Sequence, residues 1–240
     1  MANKVDIEEL FKAGAHFGHK ASKWHPKMAP YIHSKRKGGH IINLEKTVDQ
    51  LNEALPFVSE VAKNGRPVLF VATKTQLKEP IKSIAMEVES PYVVERWFGG
   101  LLTNRETMMA RIKRLKTLEA KMESGEFASR YSKLEVQRLQ EELDSLEKQF
   151  GGIKDMQGIP GVVIVFDAQS DALAVREAKK MNIPVVVVCD SNVDPSGIDF
   201  VIPANDDATN GIKLIASYFE DAVKKGKSGI KAEQEGEKKD

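Results

Sequence analysis

Five stretches of the chain are apolar at nearly every position: "PVLFVA" (67–72), "YVVE" (92–95), "VVIVFD" (162–167), "PVVVVCD" (184–190) and "DFVIP" (199–203). Runs this short, uninterrupted and rich in β-branched residues predict strands covered on both faces, as in a parallel sheet. Between them the apolar spacing changes to three and four. Residues 45–63 carry Val48, Leu51, Leu55, Val58 and Val61, with Pro56 as a candidate kink. Helical patterns also span 171–182 and 206–225, the latter behind a polar "NDDATN" start. Strand and helix in repeated alternation predict an α/β fold, a doubly wound parallel sheet with right-handed crossovers.

Residues 101–150 break that alternation. Met108, Ile112, Leu115, Leu118 and Met122 form one stripe; after "SGEF" (124–127), Val136, Leu139, Leu143, Leu146 and Phe150 recur at 3, 4, 3, 4. This heptad seam predicts an inserted, protruding antiparallel coiled-coil hairpin. Two helices of roughly 20 residues would make an arm about 30 Å long. An ordinary pair of globular helices is the plainer alternative. The expected units are therefore a basic N-terminal helix and segment at 1–44, an α/β domain at 45–104 and 151–225, the hairpin at 105–150, and a polar, disordered tail at 226–240.

Charge changes the picture through its distribution. The net charge is only +1, yet from residue 10 to 44 there is no Asp or Glu against seven Lys and Arg, which leaves the rest of the chain net acidic. A basic segment on an acidic body is the footprint of a polyanion partner. The one cysteine, Cys189, lies in an apolar run and reads as a buried small hydrophobe, which fits a reducing compartment. No signal-like or membrane-length apolar stretch occurs, so the expectation is a soluble, cytoplasmic protein.

Three chemistries compete for the polar residues. Asp167 and Asp190 close strands and Asp206 follows in a loop, so an Mg-dependent phosphoryl-transfer enzyme of α/β fold is one option. The same acids equally suit turns and helix caps, and the chain has no phosphate-cradling loop and no evident nucleophile. All five histidines lie between residues 16 and 40, but without a second ligand pair or a nearby Cys they do not form a recognisable zinc pattern. RNA binding uses more of the segment. Lys12, Lys20, Lys23, Lys27, Lys35, Arg36 and Lys37 would neutralise phosphate, and His16, His19, Trp24, His25 and Tyr31 would stack or donate. A second basic strip comprises Arg96, Arg105, Arg111, Lys113, Arg114 and Lys116. The plain alternative for the N-terminal segment is a solvated basic loop, with Trp24 packing on the domain.

"KAGAHFGHKASKWHPKMAPYI", "HIINLEKTVDQLNEAL", "RWFGGLLTN", "FGGIKDM", "PGVVIVFDAQSDALAVREAKKMNIPVVVVCD" and "SNVDPSGIDFVIPANDDA" resemble, in order, the signatures of the bacterial small-subunit ribosomal protein S-two family. The resemblance spans roughly residues 5–223. It implies a flavodoxin-like domain with a coiled-coil hairpin and a structural, non-enzymatic role in the small ribosomal subunit. The implied partners are small-subunit rRNA and neighbouring ribosomal proteins, including ribosomal protein S-one; no cofactor, membrane or homo-oligomer is expected. His16, Phe17, Gly18, His19, Trp24, Pro26, Lys27 and Met28 match the N-terminal motif, and Arg96, Trp97, Gly99, Gly100, Thr103 and Asn104 the middle one. His25 stands where the family usually has Asn, and Arg105 where it usually has Trp. "TNG" at 209–211 also departs from its pattern.

Overall fold

The computed structural model describes residues 5–36, 38–125, 127 and 131–237. Five strands, β4 (Val68–Val71), β5 (Tyr92–Val93), β6 (Val162–Val165), β7 (Val185–Cys189) and β8 (Phe200–Pro203), form one sheet in the order β5-β4-β6-β7-β8. Every neighbouring pair is parallel. The apolar runs work as the pattern predicts. Val68 and Phe70 of β4 face one core while Leu69 and Val71 face another, and β6 and β7 alternate in the same way. Both faces are covered, so a strand needs no polar positions.

The first core receives α2 (Leu44–Lys63), α3 (Lys78–Glu87) and α7 (Thr209–Glu237); the second receives α4 (Arg105–Glu123), α5 (Lys133–Phe150) and α6 (Ala172–Lys180). Burying each Val, Leu or Ile here contributes about 1.5–3 kcal/mol relative to exposure. α2 continues through Pro56. α3 lies where the apolar pattern predicts no element; Leu77, Ile81 and Ala85 supply a narrow buried stripe.

α4 and α5 meet along Leu115, Leu118 and Leu143, and Glu142 receives both Arg114 Nε at 2.9 Å and Nη2 at 2.7 Å. Ser132 begins α5 with a capping box to Glu135. The described residues thus include two packed helices at 105–150; Glu126 and 128–130 of the expected turn lie outside them.

The N-terminal segment is more structured than its composition suggests. After α1 (Ile7–Lys12) come β1 (Phe17–Lys20), β2 (Ile32–Arg36) and β3 (Gly39–Ile42), which form an antiparallel sheet in the order β1-β3-β2. The tail expectation also needs correction. α7 continues past residue 225 to Glu237, and at Gly226 it approaches α2 so closely that a Cβ there would collide with the Ser59 carbonyl oxygen. Residues 238–240 of the expected tail lie outside the described residues.

Candidate nucleic-acid interface

The N-terminal segment is fastened to the carboxyl ends of β7 and β8. The His19 backbone N–H donates to Asp190 Oδ1 at 3.1 Å and Ser191 Oγ at 2.9 Å, and the His25 N–H donates to the Ser191 carbonyl at 2.8 Å. The Asn205 N–H donates to the Ala15 carbonyl at 2.9 Å. Gly18 lies so close to Ser191 that a Cβ would sit 3.0 Å from its hydroxyl oxygen. Lys27 Nζ reaches Ser196 Oγ at 2.7 Å and Asp194 Oδ2 at 3.1 Å. The segment is therefore a sheet with designated anchor points on the α/β body.

Beneath it lie the three carboxylates considered for phosphoryl transfer. Asp167 and Asp206 converge, together with Asp207, on a lysine that sequence reasoning missed, while Asp190 faces His19. Lys74 Nζ lies 2.6 Å from Asp207 Oδ1, 3.0 Å from Asp206 Oδ1 and 3.6 Å from Asp167 Oδ2. Burial opposes the charge on Lys74, but its bonds to Asp207 and Asp206 prevail and hold its pKa above the ordinary lysine value. Burial and the neighbouring Asp167 push Asp206 up to about 6. Asp190 is fully buried; its Oδ2 lies 3.0 Å from His19 Nδ1.

Asp167 also caps its loop, accepting from the Gln169 and Ser170 N–H groups at 2.9 Å each. In open α/β sheets ligands enter at this end. Here Lys74 and the N-terminal segment engage the carboxylates, which gives these acids a folding role. His19, Asp206 and Asp207 each offer an atom within 4.8 Å of the others, a spacing that suits a cation; Lys74 provides one covalently.

The histidines do not act as a set. His16 is buried, stacked on Phe11 at 4.2 Å and tilted against Phe17 at 3.9 Å between ring centroids, and burial lowers its pKa. His25 Nδ1 accepts from the Lys27 N–H, and His40 is buried against Trp24 at 5.0 Å. His33 is exposed on β2.

The cations divide similarly. Lys27 and Arg114 are held by Asp194 and Glu142, Lys116 by Asp155, and Lys12 makes a loose pair with Glu8 at 3.7 Å. Lys20, Lys23, Lys35, Arg36, Arg96, Arg105, Arg111 and Lys113 are exposed, and no ion pair to the described residues engages them. Trp24 is partly exposed and Tyr31 half-buried beside these groups. Lys37 lies outside the described residues. The arrangement presents cations in two places, on the small sheet and around the start of α4. That suits an extended polyanion better than a small ligand.

Arg96 and Arg105 flank a loop whose shape depends on Glu177 of α6, also missed from sequence. Its carboxylate accepts from the N–H groups of Gly100 (2.7 Å), Leu102 (3.0 Å) and Thr103 (3.3 Å), and from Trp97 Nε1 at 3.3 Å. Burial would raise its pKa, but these four donors outweigh that and hold it low.

The profile of the family described as ribosomal protein S2 matches residues 10–226. The chain is 46% identical over 225 residues to the small ribosomal subunit protein uS2 of Coprothermobacter proteolyticus, covering 94% of this chain and 84% of the relative. It is likewise 46% identical over 231 residues to the uS2 of Chloroflexus aggregans, covering 96% and 97%. No helix among the described residues is long and apolar enough to cross a membrane.

Proposed function

The chain belongs to the ribosomal protein S2 family, and from that premise we propose that it holds small-subunit rRNA through the exposed cations of its N-terminal sheet and of the strip around α4. It is a protein of the small ribosomal subunit and not an enzyme. The observation that carries the RNA reading is the anchored, acid-free segment at 10–44, whose Lys20, Lys23, Lys35 and Arg36 face solvent. Anchoring through Asp190, Ser191 and Asn205 sets these charges in position before binding, so less conformational entropy is lost on contact.

The parallel order β5-β4-β6-β7-β8 supports a flavodoxin-like classification. The heptad on α5 and its pairing with α4 support a coiled-coil arm reaching rRNA or a neighbouring protein, with ribosomal protein S-one among the proposed partners, in the cytoplasm. Neither the Mg-dependent phosphoryl-transfer alternative nor a histidine metal site is carried further. The test is replacement of Lys35, Arg36 and Lys37 together by Glu. Incorporation into the small subunit should fall and its salt dependence become shallower, with the thermal transition of the isolated protein unchanged. Full incorporation at raised salt would refute the assignment.

A further inference from the structure

One side of α4 does not suit RNA. Arg105, Met109, Ile112, Lys116 and Ala120 recur at three and four, and with Lys113 they line an open groove of about 890 Å³, much more than an ion or a water fills. The opposite wall is the loop bearing Lys154, Met156 and Gly158. Met109 is 45% exposed, and the adjoining hollow leads to Ile159, 42% exposed.

Of the five cations along the groove, Lys116 is neutralised by Asp155 at 2.8 Å and Lys154 by Glu119 at 2.6 Å and Glu147 at 3.3 Å, and Lys121 is also engaged. Arg105 and Lys113 are exposed, without an ion pair to the described residues, one turn before and one turn after Met109. Phosphate recognition needs cations but no methionine floor. A flexible thioether surface flanked by two positive charges is suited to the apolar face of a helix.

We infer that this groove docks an amphipathic helix of a neighbouring small-subunit protein, with an apolar residue on Met109 and acidic residues, about seven positions apart, facing Arg105 and Lys113. The inference rests on the chain's place in the small subunit and reassigns Arg105 and Lys113 from rRNA to protein contact. Complementary charge sets register while the apolar floor supplies adhesion.

The test places a photo-reactive benzoylphenylalanine at Met109 of the full chain, assembles it into small subunits, and maps cross-links after irradiation. The expected product is a link to one ribosomal protein within a segment of that acidic and apolar spacing. Lys113→Glu should reduce the yield per subunit-bound protein at least about fivefold. A link to rRNA, no link above the unirradiated background, or a yield unchanged by Lys113→Glu in subunits that carry the protein overturns the inference alone. Failure of the unsubstituted protein to enter the subunit would overturn the ribosomal reading as well, and shows separately as lost co-sedimentation.

Discussion

The Glu177 carboxylate on α6 accepts a hydrogen bond from the Gly100 backbone N–H at 2.7 Å, joining two positions 77 residues apart and fixing the loop that leads into α4. Leu102, Thr103 and Trp97 donate to the same carboxylate. An acidic side chain thereby takes the place of a regular backbone ladder in a segment that has none.

Glu177→Gln replaces one acceptor oxygen with an NH₂ facing N–H donors. It should destabilise the protein by about 2–4 kcal/mol in denaturant unfolding and change Trp97 fluorescence. Because the Glu177 pKa is lowered in the folded state, its contribution is present above the unfolded glutamate value and is lost as pH falls through the folded one. The gap between wild type and variant should therefore narrow under acid. A gap that stays constant or widens would count against the clamp.

Asp171 gives the opposite sign. It accepts from the Thr73 N–H at 3.1 Å and hydroxyl at 2.8 Å, but burial, reinforced by Asp167, pushes its pKa up to about 6 from 3.8. Between those values the folded protein binds more protons than the unfolded chain, so this site's contribution to stability falls as pH rises. The stability of wild type minus Asp171→Asn should drop by about 1–3 kcal/mol from pH 4 to 7, most of it below pH 6. A difference that rises with pH over that window would show that Asp171 is not held protonated by its surroundings.

Gly226→Ala places a methyl against the Ser59 carbonyl and Ala62 of α2. The expected loss is about 1–3 kcal/mol. Hydrogen exchange should rise at the α7 amides beyond residue 225 while the β6 and β7 amides remain protected. Rapid exchange of those α7 amides already in wild type would contradict the packed helix.

The sheet was legible because both faces of β4, β6 and β7 are buried, which leaves uninterrupted apolar runs in the sequence. α2, α6 and α7 were legible from their stripes. The small sheet was not: β2 is half-buried only at Ile32, and β1 is secured by Asp190 and Ser191, more than 170 positions away, so no local periodicity reveals it. Residues 226–237 read as tail because their composition is polar, whereas tertiary approach to α2 decides the outcome at Gly226.

Lys74 carried no distinguishing signal among the lysines that follow helices and strands. Glu177 did: it lies beside Ala174 and Ala178 on the buried stripe of α6, where a charge requires a partner. Of the candidate interface, the exposed cations were visible in the sequence; the internal pairing of Lys27 and Arg114 emerges only when the acids at Asp194 and Glu142 are placed.

The most direct measurement is sedimentation of small ribosomal subunits assembled with and without this protein, through gradients of increasing salt. The protein should travel with the subunit at stoichiometric amounts at moderate salt and dissociate progressively as salt rises, the behaviour that the proposed contacts to phosphate require. Failure to travel with the subunit at low salt, or occupancy independent of salt up to molar concentration, would contradict an rRNA-holding role for the N-terminal sheet.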